Sequence, residues 1–317
     1  MFNSIHEMGV DGNAFSVSYI ILTTLTTVVH GIGILLLVKI KSNLPNQRII
    51  VINLALSELL FCLLQALIYL LKIADRKWRH WDKPDQQIMS IYVLHMYSAM
   101  AFNMATRLFL IYIINDRFMS ILLHMKYIIW FPKHQVLKIV IMIWLLALMY
   151  GTVLCSLAVG TKYLTILNAW TVHNFANVLL DSIIVVSGIG TYIYFYKKVR
   201  AIAKSTKAVP NDATHVQTTS SYTHKFILPF LIVLTYIIFN ISATIIYQIR
   251  LPMKSLGNRQ QNLLKQFARI LVITGFLSDS LLYIFVQKQI RRFVCRISPT
   301  NLQGAVIGNP EVDEARP

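Results

Sequence analysis

The sequence predicts an all-α membrane protein, a bundle of seven transmembrane helices followed by a short amphipathic eighth helix. Three observations carry this. Over half of the 317 residues are hydrophobic (56%) and only 14% are charged, where a soluble domain carries about a quarter. The apolar residues fall into seven runs, each long enough to cross a bilayer. The basic residues gather in the connections between those runs. Lipid is the solvent that accepts so much apolar surface on a protein's exterior.

A spanning helix needs about 20 mostly apolar residues, and it satisfies its own backbone within the segment. The expected spans are Phe15–Val38, Ile49–Leu71, Ile88–Ile114, Val136–Val159, Ala169–Tyr196, Phe226–Ile249 and Leu263–Phe285. The seventh is the weakest, holding Lys265, Arg269 and Asp279, and a six-span arrangement stays open on hydropathy alone. Eighteen of the thirty Lys and Arg residues fall on one side of the alternating loops and eleven on the other. The richer side is expected in the cytoplasm, which puts the amino terminus outside.

The expected organisation is a short outer segment (1–14), a seven-span domain (15–286), a basic amphipathic helix on the inner leaflet (287–297) and a disordered tail (298–317). The first sixteen residues lack a basic region, and the run behind them is too long for a cleaved signal, so it is expected to act as an anchor. The connection at about 203–222, rich in Ser, Thr, Asn and Pro, is expected to be mobile. The formal charge of +17 does not point to nucleic acid, because the basic residues lie between apolar runs and not along one polar face. Cys62 and Cys155 lie inside apolar runs and Cys295 on the basic stretch behind the last one, so no disulfide is expected.

An ionisable group at the bilayer centre costs about 2.5–3.5 kcal/mol on insertion scales, so those present mark function or pairing. Glu58 and Asp279 are expected at similar depth on the second and seventh spans. Either they face one cavity and share a proton or a cation, or each bonds separately to neighbouring polar groups. Arg107, near the middle of the third span, is paired with Asp181 of the fifth in one reading and lines a hydrated cavity in the other. No phosphate loop, no nucleophile with a companion base and no clustered metal ligands occur among these motifs, so an enzyme is not expected.

The stretch Asp116-Arg117-Phe118, followed by Ser120, Ile121, His124, Met125 and Tyr127, resembles the end of the third helix and the second inner loop of rhodopsin-like G-protein-coupled receptors. There the pattern is Asp/Glu-Arg-Tyr, then Ile, then Pro-Leu-x-Tyr. Asn53-Leu54-Ala55-Leu56-Ser57-Glu58-Leu59-Leu60 looks like that family's Asn-Leu-Ala-x-x-Asp-Leu-Leu, with Glu in place of Asp. Trp144 falls where the fourth helix carries Trp. Asp279-Ser280-Leu281-Leu282-Tyr283 looks like Asn-Pro-x-x-Tyr, with Asp for Asn and Ser for Pro. The resemblance runs from about Phe15 to Cys295.

The resemblance implies a receptor that passes an extracellular signal to a heterotrimeric G protein from the plasma membrane. Asp116, Arg117, Phe118 and Tyr127 would meet the G protein. Glu58, Thr106 and Asp279 would form a polar cluster where the family binds a sodium ion. Tyr196, Tyr236 and Tyr283 would take part in activation, Tyr236 standing near the missing Trp of the sixth helix. Cys295 would carry a lipid. The ligand is not expected to be a biogenic amine, since Ala99 stands where amine receptors carry Asp, nor retinal, since Ile273 replaces the Schiff-base Lys. The chain also departs from the pattern. Tyr92 replaces the outer disulfide Cys, Gly188 stands where the fifth helix carries Pro, and no acid lies near the inner start of the sixth helix to hold Arg117. A divergent receptor with high basal activity is the expectation. The alternatives are an ion- or proton-coupled transporter or channel using Glu58, Arg107, Asp181 and Asp279, although no repeat is visible, and a receptor-like protein that no longer signals.

Overall fold

The computed structural model describes residues 10–39, 45–74, 86–123, 126–160, 166–207, 228–250 and 258–285. The described residues are almost entirely helical, with seven helices long and apolar enough to cross a membrane. These are α1 (Val10–Lys39), α2 (Pro45–Ala74), α3 (Gln86–Leu123), α4 (Lys133–Gly160), α5 (Ile166–Lys207), α6 (228–250) and α7 (Asn258–Phe285). A one-turn helix, Tyr127–Trp130, lies between α3 and α4. The chain is thus a multi-pass membrane protein, and the six-span alternative is set aside. The expected helix at 287–297, Cys295 and the tail 298–317 lie outside the described residues.

Each apolar run becomes a helix that extends past its hydropathy window. α2 begins at Pro45, whose fixed φ suits a first turn where the missing N–H costs nothing. α1 starts at Val10, inside the expected outer segment 1–14, and α5 continues through Lys207, so the first residues of the 203–222 connection are helical. The polarity of the bundle is inverted relative to a soluble protein. Thr23, Thr26, His30, Ser57, Glu58, Thr106, Arg107, Asp181 and Asp279 are buried, whereas Ile21, Leu35, Met149, Phe175 and Val186 face outward. Only a lipid surround makes that distribution stable.

The third helix is the hub. An 18-residue stretch of its span Val93–Leu123 is 67% buried, against 11% for the corresponding stretch of Ala169–Lys198 in α5. It packs on α2, α4 and α5, while α1 lies between α2 and α7, and α6 rests on α7. A core cluster of Leu54, Phe109, Ile113, Ile232, Tyr236 and Tyr283 ties α2, α3, α6 and α7 together. Trp144 of α4 donates its indole N–H to Asn53 Oδ1 at 2.9 Å and stacks edge-on to Phe109 at 5.7 Å. This contact ties the Asn of the second-span motif to the Trp of the fourth.

Within α6 a π-helical turn, Ile237–Ile241, interrupts the α-helix. Its residues press on Gly275 of α7, where an added Cβ would lie 2.8 Å from Asn240 Nδ2 and 2.9 Å from Phe239 Cβ. Glycine permits that approach because it has no side chain. Nothing in the local sequence of α6 announces the wide turn.

Candidate functional site

Three buried polar groupings lie along the bundle, each built by helices that the apolar pattern predicts. The first is at the end of α3 that carries Asp116 and Arg117, both about 5% exposed. Arg117 Nε donates to Asp116 Oδ2 at 3.0 Å, and Nη2 also donates to Asp116. Its Nη1 donates to Gln47 Oε1 at 3.3 Å, reaching the first turns of α2. Tyr127, from the one-turn helix, donates its hydroxyl to the remaining Asp116 oxygen. The one-turn helix is held in place as Asn46 Nδ2 donates to the Phe131 carbonyl at 2.8 Å. Burial and the neighbouring Asp116 charge push the Tyr127 hydroxyl above the ordinary tyrosine range, so it remains a donor at physiological pH. Phe118 sits edge-on to Tyr194 of α5 at 5.5 Å. Asp116, Arg117 and Tyr127 are therefore brought together as the motif implies, and Gln47 is an addition that sequence reasoning missed.

The second grouping lies at the middle of α3. Arg107 Nε donates to Asp181 Oδ1 at 2.9 Å, and Nη2 lies 3.5 Å from Oδ2. Of the two readings of Arg107, the ion pair holds. The Asp181 carboxylate also accepts from the Tyr236 hydroxyl at 2.6 Å and from Thr244 Oγ1 at 2.9 Å. One carboxylate thus collects donors from α3 and twice from α6, which is how a buried charge is made tolerable. The Arg107 guanidinium lies 6.0 Å from the centroid of the Tyr236 ring. Nearby, Tyr150 OH meets His173 Nδ1 at 3.2 Å, and the buried Asn177 Oδ1 has no hydrogen-bond partner among the described residues.

The third grouping joins α1, α2, α6 and α7. Glu58 and Asp279 are fully buried and within hydrogen-bonding reach of each other, and each also meets polar neighbours of its own. Glu58 Oε2 lies 2.8 Å from His30 Nε2 and 3.5 Å from the Tyr283 hydroxyl. Thr235 donates to Asp279 Oδ1. The other two carboxylate oxygens, Glu58 Oε1 and Asp279 Oδ2, meet no donor among the described residues. His30 is the residue that sequence reasoning passed over, and the available signal was an ionisable ring inside an otherwise apolar first span. Tyr283 joins the cluster as expected. Thr106 bonds Ser57 Oγ, next to Glu58 in the chain, at 3.0 Å.

Tyr196 lies on the outer surface of the bundle. It is 55% exposed and shares the outward face of α5 with Tyr192 and Ile193, because its helical phase points it away from α3. The α5 tyrosine that reaches α3 is Tyr194, through Phe118. Cys62 and Cys155 are buried free thiols. No group of three or more His, Cys, Asp or Glu side chains suited to a metal ion occurs among the described residues. No family model and no curated protein matches this chain.

Proposed function

We propose that this protein is a rhodopsin-like G-protein-coupled receptor of divergent sequence, in the plasma membrane with its amino terminus outside. The observation that carries the reading is the closed grouping of Arg117, Asp116, Tyr127 and Gln47 at one end of the central helix. An arginine restrained by its own neighbouring carboxylate, at the end of a helix that contacts α2, α4 and α5, is poised for exchange between two partners. Released from Asp116, it would offer five donors to the C-terminal carbonyls or carboxylate of a docking helix of a G-protein α-subunit. A ligand at the opposite end of the bundle would favour that released state only as far as it binds it more tightly.

The test is a G-protein activation panel in cells without added ligand, comparing the intact chain with Arg117→Ala at matched surface expression. Signalling above mock cells that Arg117→Ala abolishes supports the receptor. Equal signals from both chains, or none from the intact chain across all G-protein classes, count against it.

A transporter is the second reading, favoured by one observation. Thr235 bonds Asp279 and the next residue, Tyr236, bonds Asp181, so adjacent residues of α6 reach both the Glu58–Asp279 and the Arg107–Asp181 groupings. Proton or ion flux in proteoliposomes, lost in Asp279→Asn, would favour this reading over the first.

A further inference from the structure

His30, Glu58 and Asp279 are three fully buried ionisable side chains on three helices, and their contacts fix how many protons they hold. His30 Nδ1 lies 3.0 Å from the Thr26 carbonyl oxygen. A carbonyl only accepts, so Nδ1 carries a hydrogen. Ser280 Oγ, 2.6 Å from the same nitrogen, has its own acceptor in the Phe276 carbonyl at 2.8 Å. At the other side of the ring, Nε2 and Glu58 Oε2 are 2.8 Å apart. A bare imidazole nitrogen against a bare carboxylate would set two lone pairs face to face. One proton therefore lies between them, whether as imidazolium with carboxylate or imidazole with carboxylic acid.

The same count applies between the carboxyls. Glu58 Oε1 and Asp279 Oδ2 are buried and meet no donor among the described residues, although the two groups are within hydrogen-bonding reach. Two buried carboxylates this close do not both stay ionised, and a second proton between them satisfies both oxygens at once. Two protons on two carboxylates and a neutral ring leave the cluster with no net charge. That is the state a low-dielectric interior favours.

A sodium ion, which the family resemblance implies here, does not fit these residues. A hard cation needs a shell of several oxygen ligands to replace its water. Of the four carboxylate oxygens, Glu58 Oε2 is faced by His30 and Tyr283 and Asp279 Oδ1 accepts from Thr235. The Thr106 hydroxyl is bonded to Ser57, and no bond from it to either carboxyl is found among the described residues. Two oxygens remain, which is the complement of a proton.

We propose that the His30–Glu58–Asp279 cluster is a proton-binding site that holds two protons in the place of a sodium ion. The other titratable groups facing it are Cys62 on α2 and Tyr283 on α7, with Tyr236 of α6 on the side toward Asp279. Ser57 and Thr106, where α2 meets α3, add polarity and no charge. Arg107 of α3, against the Tyr236 ring, is already neutralised by Asp181. The cluster is thus its own charge balance. The protonation count stands on the geometry of α1, α2 and α7, and only its consequence for signalling rests on the receptor reading, namely basal activity that follows pH and ignores sodium.

The test is infrared spectroscopy of the purified full chain in lipid nanodiscs at neutral pH, in sodium chloride and in equimolar N-methylglucamine chloride. The expected result is a protonated-carboxyl carbonyl band of equal intensity in both salts, lost in Glu58→Gln, in Asp279→Asn or in both. Each of those amides fills the place of the second proton with an N–H donor. Absence of the band from the intact chain overturns the proposal, as does its loss in sodium or its survival in both variants. Should the variants fail to fold, the comparison of the two salts on the intact chain decides alone. A band present beside a failed G-protein panel would retire the receptor and keep the proton site, and the converse result would do the reverse.

Discussion

Asp181→Ala leaves the Arg107 guanidinium buried, 6% exposed, without a counter-charge, and it strips an acceptor from Tyr236 and Thr244 together. Breaking one side of a buried pair costs about 3–5 kcal/mol. At about 2 °C per kcal/mol, the lower end for domains somewhat smaller than this chain, the thermal midpoint is expected to fall by about 6–10 °C. The bundle supplies its own reporter. Cys62 and Cys155 are buried free thiols, so a thiol-reactive fluorogenic dye signals unfolding once Cys295 has been replaced by Ser. The double variant Arg107→Leu with Asp181→Ala removes the stranded cation. It is expected to recover part of the loss, with a coupling energy of up to about 3 kcal/mol. Recovery stays incomplete because Tyr236 still lacks its acceptor, whereas Thr244 keeps the Asn240 carbonyl. A midpoint within 2 °C of the intact chain (about 1 kcal/mol) for the single variant, or no coupling in the cycle, would refute the reasoning that Asp181 neutralises Arg107.

Tyr127→Phe removes a hydrogen bond to a carboxylate and is expected to cost about 1.5–3 kcal/mol, read by the same dye assay. The hydroxyl's raised pKa carries a sign: above about pH 10 the unfolded chain releases this proton while the folded one keeps it. Stability due to Tyr127 is therefore present below that pH and falls as pH rises through it. Midpoints measured from pH 9 to 11 are expected to fall less steeply in Tyr127→Phe. Gly275→Ala forces a Cβ to within 2.8 Å of Asn240 Nδ2 and is expected to lower stability by about 1–3 kcal/mol, whereas Gly190→Ala, with open space around it, is expected to be neutral in the same measurement. Trp144→Phe keeps most of the ring packing but leaves Asn53 Oδ1 without its donor, an expected loss of about 1 kcal/mol in thermal midpoint.

The parts of this molecule that lipid penalises are the parts that could be read from its sequence. Seven apolar runs became seven helices because backbone in hydrocarbon has no other satisfied form. Arg107 and Asp181 paired, and Glu58 met Asp279, because stranding any of them in the bilayer is costly. What escaped was set by three-dimensional phase. Tyr196 and Tyr194 differ by two positions, which on a helix turns one to lipid and the other to Phe118. Thr106 sits at the depth expected for a sodium cluster, and its bond to Ser57 needed the facing of α2 and α3 to be known. His30 was passed over because a histidine alone in an apolar helix looks inert until the residue 28 positions on is known to face it. Gln47, an uncharged residue before the second apolar run, carries no signal until Arg117 reaches it.

The wide turn at Ile237–Ile241 acts as a phase shifter in the sixth helix. One inserted residue advances everything after it by about 100° around the axis. Thr244, beyond the turn, bonds the same carboxylate as Tyr236, before it, although eight positions separate them. Excising a single residue from that turn would rewind the remainder, Ser242–Arg250, and aim a different residue at Asp181. Helical register is thus what selects the donors this carboxylate receives, so insertions and deletions in the sixth helix are expected to be tolerated far less than conservative side-chain exchanges.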